Sequence, residues 1–196
     1  MRLPIIYLAS QSPRRRELLK QIDVPYALFS DDANLYLDET PVPDELPDVY
    51  VRRLCIEKAQ AGIEIMKSRQ LSTLPVLAAD TTVTLDGKIF GKPQNAEQAV
   101  TMLNALSGRT HQVITGVAVI LANQIEVMLS TTTVRFSPLC ADSIQSYVSS
   151  HEYADKAGGY AIQGRAAAFI EHISGSYSGV MGLPLYETAQ LLRRFT

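Results

Sequence analysis

Hydrophobic positions along the chain change period several times. An apolar run over residues 3–9 stops at Ser10-Gln11-Ser12, and a helical pattern then runs from Pro13 to about residue 22. Proline suits the first helical position, and Ser12 before it is a good N-cap type. A second apolar stretch, Tyr26 to Phe29, precedes an acidic segment over 31–48 that Pro41, Pro43 and Pro47 mark as a loop. From about Asp48 to Ser68, Val51, Leu54, Ile56, Ala59, Ile63 and Met66 recur broadly on one side, which predicts a long helix. Val76 to Ala79 reads as a buried strand ending at Asp80. Thr82 to Leu85 continues as strand to an Asp86-Gly87 turn, and Lys88-Ile89-Phe90 returns as a hairpin. Asn95 caps a helix that ends near Leu106 at Gly108. Strands over about 110–121 and 125–136 flank Ala122-Asn123-Gln124. A helix from Asp142 to Ser149, a glycine-rich loop from Lys156 to Gly164, a strand near 167–173 and a helix from Leu185 to Arg194 follow. The irregular alternation with clear hairpins predicts an α/β fold with a mixed sheet.

Composition narrows the function. At 196 residues, 46% hydrophobic and 19% charged, the chain can bury a core as one domain or two closely joined lobes. A net charge of −2 supplies no general polycation, so no nucleic-acid partner is expected. Cys55 and Cys140 lack framework or metal spacing, which fits a reducing compartment. His111, His151 and His172 make no metal-binding arrangement and read as surface or turn residues. The N-terminus has no signal-peptide pattern, and no run approaches the ~20 apolar residues of a membrane span. The expectation is a cytoplasmic protein.

Candidate chemistry gathers at a few positions. Arg14, Arg15 and Arg16 stand in the first turn of the first helix, where the helix dipole disfavours cations. They read either as a solvated basic turn or, with the serine hydroxyls, as a site for a polyphosphate. Asp80, at the change from apolar residues to threonines, suits a general base or a metal ligand, or else bonds its own turn. Glu39 in the proline-rich loop and Lys58 on the long helix are unremarkable alone. Lys92 is presented from a turn stiffened by Pro93, and Gln163 lies in an unusual glycine-rich backbone. Neither glycine-rich nucleotide signature is present, so a bound triphosphate would be held by separate cations.

Taken in order, Leu8-Ala-Ser-x-Ser-Pro-Arg-Arg, Asp38-Glu39-Thr40, Arg53-Leu54-x-x-Glu57-Lys58-Ala59, Ala79-Asp80-Thr81, Gly91-Lys92-Pro93, Leu106-Ser107-Gly108, Asp155-Lys156-Ala157-Gly158, Ile162-Gln163-Gly164 and Gly182-Leu183-Pro184 resemble the Maf family of nucleoside triphosphate pyrophosphatases. The resemblance spans nearly the whole chain. It implies a single domain over 1–196 with an elongated two-lobed mixed-sheet α/β fold, inosine-triphosphatase-like, around a central cleft, usually homodimeric. It also implies release of pyrophosphate from nucleoside triphosphates with Mg²⁺ or Mn²⁺. By resemblance, Ser10, Arg14, Arg15, Lys58 and Lys92 line the phosphate path, Asp80 is the general base, and Glu39 joins Asp80 at the metal. Arg14, Thr81 and Gln163 resemble the branch acting on dTTP and UTP. The branch acting on 7-methyl-GTP carries tryptophan, glutamine and glutamate at those places. A glutamine amide can donate to a uracil or thymine carbonyl and accept from N3–H, whereas a carboxylate only accepts. Two alternatives stay open: the 7-methyl-GTP specificity, and a non-catalytic nucleotide-binding regulator of cell division. Cys55, Ala79, Gly159 and Ala161 depart from the family pattern by small-for-small changes.

Overall fold

One seven-stranded mixed sheet organises the residues that the computed structural model describes, 3–29 and 37–195. β1 (Ile6–Leu8), α1 (Pro13–Gln21) and β2 (Tyr26–Leu28) form a parallel crossover. α2 (Pro47–Ser68) leads into β3 (Val76–Leu85), which turns back as β4 (Lys88–Phe90). α3 (Ala96–Leu106) precedes the long hairpin of β5 (Thr110–Leu121) and β6 (Gln124–Phe136). α4 (Ala141–Ser149), β7 (Ile170–Ser174), α5 (Tyr177–Met181) and α6 (Leu185–Leu192) complete the order. The strands run β2-β1-β3-β5-β6-β7, with β4 also on β3.

The pairing of β3 creates the opening that matters. β5 occupies one edge of β3 from Val76 to Thr84. β1 and β4 therefore share the other edge, β1 at Val76 and Leu77 and β4 from Val83 to Leu85. Between them, Ala78 to Thr82 meet no strand among the described residues.

Side chains of a strand alternate between faces, so adjacent residues of β3 face different cores. Val76 and Ala78 pack with Cys55, Ala59 and Ile63 of α2, and Asp80 follows them on that face. Leu77 and Ala79 pack on the other face against Leu18 and Leu19 of α1 and Leu191 of α6. Farther along that second face, Val83 and Leu85 pack against Leu103 and Leu106 of α3 and Tyr147 of α4. Thr81 lies between these two packing groups.

Helix α2 packs against the sheet beside Asp80 with no room for a side chain between them. Gly116 pairs with Asp80 across β3 and β5. A Cβ there would lie 2.9 Å from a Val51 methyl and 3.0 Å from Cys55 Sγ. Gly116→Val should therefore lift the helix, costing about 1–3 kcal/mol by overpacking. Chemical denaturation checks this, and a variant as stable as the parent would show that the helix has room.

Several expectations change. β3 does not end at Asp80; it is one ten-residue strand with Asp80 in its middle, because β5 pairs along nearly all of it and only the opposite partner changes. The strand expected near 167–173 begins as a 3-10 turn (Arg165–Phe169) and becomes β7 only at Ile170. α5 was not anticipated, and the last helix ends at Leu192 before a 3-10 turn (Arg193–Phe195). Ser12 holds the N-cap position of α1 without a capping side-chain bond. Of the expected proline-rich loop, 37–46 is irregular and Pro47 already opens α2, while 31–36 lies outside the described residues.

His111 is not a surface residue. It is 2% exposed, packs edge-on against Phe136, and its Nε2 is 2.8 Å from the Tyr160 hydroxyl. Burial pushes its pKa down from 6.5 to about 4. The unfolded chain thus takes the proton first as pH falls, so this contribution to stability is present above about 6.5 and is lost toward 4. Thermal unfolding across that window should be flatter in His111→Gln; an equally steep variant would assign the titration elsewhere.

Candidate active site

The open stretch of β3 gathers most of the predicted site residues. Asp80 is 7% exposed and accepts a hydrogen bond from Lys58 Nζ at 2.5 Å. Among the described residues it makes no hydrogen bond to its own turn. Lys58 stands on the sheet-facing side of α2, one turn beyond Leu54 and Cys55, which the close helix–sheet approach brings over Asp80. The same ammonium lies 2.6 Å from Glu39 Oε1, and Lys92 Nζ lies 3.2 Å from Glu39 Oε2. Four charges of alternating sign, Lys92, Glu39, Lys58 and Asp80, thus run in series.

Glu39 belongs to irregular chain, so something must hold it there. The Tyr50 hydroxyl donates to the Glu39 carbonyl at 2.9 Å. Arg53 donates to both Glu45 carboxylate oxygens at 2.7 Å and reaches the Thr40 carbonyl. Both anchors project from α2, the helix that also carries Lys58. Burial works to raise the Glu39 carboxyl, and bonds and charge from Lys58 and Lys92 more than offset it, holding its pKa below the ordinary value. Tyr50 and Arg53 had no role in the sequence reading, although Arg53 lies within one of its matching motifs.

The three arginines of α1 separate. Arg15 Nε donates to the Gly182 carbonyl at 2.8 Å and Nη1 to Ser10 Oγ at 3.0 Å, while Ser10 Oγ also accepts the Ser12 amide. Burial lowers the Arg15 pKa, with Asp80 and Glu39 acting in the opposite sense, so this guanidinium is within electrostatic reach of both carboxylates. Arg14 makes no hydrogen bond or ion pair among the described residues, and its Nε is buried without a partner. Burial lowers its pKa too, against the pull of Asp155. Arg16 donates to the Gln11 carbonyl at the exposed surface. Arg16 Nε is likewise buried without a partner, so what distinguishes Arg14 is that none of its guanidinium nitrogens is hydrogen-bonded among the described residues, which leaves the whole fork free for an anion.

Thr81 projects from the face opposite Asp80. Its hydroxyl is 3.0 Å from Thr115 Oγ1, and Thr115 donates to the Gly179 carbonyl at 2.8 Å. Gly182, which carries the carbonyl that holds Arg15, approaches Thr81 from that side. Gln163 does not touch this group. Its loop docks beside the Lys92 turn, where the Gly158 amide donates to the Gly91 carbonyl at 3.0 Å. Gly158 has φ +68° and no room for a Cβ against Val83. The two cysteines take no part: Cys55 is buried with its thiol pushed up to about 12 by burial, and Cys140 is exposed.

Residues 5–195 match the family model for Maf-like proteins. The chain belongs to the Maf family. A "dTTP/UTP pyrophosphatase" of Nitrosomonas europaea is 55% identical over 191 residues, 95% of this chain and 92% of that protein. A protein of the same name from Burkholderia pseudomallei is 53% identical over 195 residues, 97% of this chain and 93% of that protein. Among solved structures, a HAM1 protein from Coxiella burnetii aligns with a TM-score of 0.56 at 18% identity, over 98% of this chain and all of that one. That likeness concerns the fold, and it agrees with the inosine-triphosphatase-like architecture expected of a Maf chain. No helix among the described residues is long and apolar enough to cross a membrane.

Proposed function

We propose that this Maf protein is a nucleoside triphosphate pyrophosphatase that hydrolyses dTTP and UTP to the nucleoside monophosphate and pyrophosphate. The observation that carries the reading is the charge series Lys92–Glu39–Lys58–Asp80 at the open stretch of β3, with Arg15, Ser10 and the unpartnered Arg14 beside it. The names of relatives above 50% identity support the same substrates.

In this reading Asp80 accepts a proton from water as the water oxygen attacks the α-phosphorus. The bond from that phosphorus to the bridging oxygen breaks, and pyrophosphate leaves with the bonding electrons. Lys58 and Lys92 act as point charges on the phosphate oxygens, and Arg14 offers the planar fork that suits a phosphate. Arg15 already spends two donors on Gly182 and Ser10, so it fixes the Ser10 hydroxyl and adds charge.

The donor set fits a divalent cation held by Glu39 and Asp80. Both carboxylates converge on one ammonium, and oxygen ligands suit Mg²⁺ or Mn²⁺. Four cations (Lys58, Lys92, Arg14, Arg15) less two carboxylates leave about +2, against about −4 on a triphosphate, and one such ion closes the difference. Among the described residues, no cluster of three or more His, Cys, Asp or Glu is grouped to hold a metal, so water and substrate oxygens would complete its shell. When bound, it supplies neutralisation of the phosphate charge.

Purified protein with Mg²⁺ should release pyrophosphate from dTTP and UTP; inorganic phosphate as the first product would overturn the assignment. Gln163→Glu leaves a carboxylate facing pyrimidine acceptors. It should weaken dTTP and UTP turnover by roughly 1–3 kcal/mol and improve 7-methyl-GTP. A variant with unaltered preference would remove Gln163 from base recognition.

A further inference from the structure

Gln163 is exposed and its side chain makes no hydrogen bond among the described residues, yet the backbone on both sides of it is held from below. The Gly164 amide donates to the Ala161 carbonyl at 3.1 Å, closing a tight turn with Ile162 and Gln163 at its tip. Two residues before Gln163, the Ala161 amide donates to the Tyr147 hydroxyl at 3.2 Å. Two residues after it, the Arg165 amide donates to Glu152 Oε2 at 3.1 Å. Ala161 and Ile162 are buried, and Tyr147 is 2% exposed with its ring edge-on to Phe169. The Glu152 carboxylate sits directly beneath the turn, so a Cβ at Gly164 would meet it and the acid would have to swing aside. Glu152 Oε1 is buried without a hydrogen-bond partner; Oε2 accepts the Arg165 amide, and the carboxylate also lies near the Tyr147 hydroxyl, whose pKa is raised by burial first and by this acid second.

We infer that Tyr147 and Glu152 are positioning residues for Gln163: they bracket its turn and fix where the amide meets the nucleobase. The inference rests on the proposed reading of Gln163 as the group that meets the base. Neither residue touches the phosphate-binding series, so their influence falls on recognition of the base and leaves the bond-breaking step alone. Tyr147 lies on α4 and Glu152 just after it, so one helix end holds the turn at two points. An amide on an unheld turn must be ordered at the moment of binding, which weakens the contact it makes.

The test uses Tyr147→Phe, which removes only the hydroxyl, and Glu152→Ala, with Glu152→Gln restoring an acceptor oxygen. Each loss should raise KM for UTP about fivefold, the worth of one hydrogen bond, with kcat little changed. Inhibition by inorganic tripolyphosphate, which has no base, should stay as in the parent. In the parent background Glu152→Gln should recover most of the loss seen in Glu152→Ala; in a Gln163→Ala background neither Tyr147→Phe nor Glu152→Ala should raise KM further. Should Tyr147→Phe not fold, the Glu152 pair gives the same reading. Unchanged KM, equal weakening of tripolyphosphate, or an effect that persists without Gln163 would overturn the inference. A parent protein that releases no pyrophosphate from UTP would instead overturn the proposed function, and so separates the two failures.

Discussion

Asp80→Asn should lower kcat for dTTP by about 10²–10⁴-fold, the usual contribution of a general base, while nucleotide affinity stays within a few-fold of the parent. The split follows from the contacts. Asparagine keeps an oxygen able to accept from Lys58, so the 2.5 Å partner need not move and the cleft keeps its shape. What disappears is the basic site that, in the proposed mechanism, takes the proton from water. Steady-state kinetics with calorimetric binding of dTTP measures both halves. A variant retaining a tenth or more of parental kcat would mean that the proton goes elsewhere, and one that loses binding as well would make Asp80 chiefly a structural residue.

Lys58→Met should be nearly as damaging, for a different reason. Lys58 is the only cation that contacts both Glu39 and Asp80 among the described residues. Its loss removes one positive charge from the phosphate path and leaves the two carboxylates without the charge between them. Loss of one preorganised donor typically costs about 10²–10³-fold in rate. There is also a signature in pH. The Glu39 carboxyl is held low, with bonds and charge from Lys58 and Lys92 outweighing its burial. A lowered carboxyl contributes stability that is present above its unfolded pKa and lost as pH falls through its folded one. Without Lys58 that contribution shrinks, so Lys58→Met should lose less stability on acidification than the parent. Equal acid sensitivity, or near-parental turnover, would show that the ammonium does not couple the two acids.

Much of this site was legible in the order of residues along the chain. The serines and arginines after β1, Lys58 on a long helix and Lys92 between Gly91 and Pro93 all stand where the pattern puts them. What escaped depends on contacts distant in sequence. The apolar run looked as if it stopped at Asp80 before a second stretch of strand, but β3 passes through Asp80 without a break because β5 supplies partners from Val76 to Thr84. Only the partner on the opposite edge changes, and a single sequence carries no trace of that. The difference between Arg14 and Arg15 is likewise set by a carbonyl 167 residues away, at Gly182. His111 looked like one of three scattered polar residues, and only its ring contacts with Phe136 and Tyr160 bury it. α5 is five residues long, contains Gly179, and is held by Ser176 at its start, too short a segment for helical periodicity to register.

The proposed chemistry is attack of water at the α-phosphorus, assisted by Asp80. Hydrolysis of dTTP in water enriched in heavy oxygen, followed by mass spectrometry of both products, tests it most directly. The label should appear in dTMP alone, with unlabelled pyrophosphate. Label in pyrophosphate or in inorganic phosphate would place the attack on the β- or γ-phosphorus and contradict it.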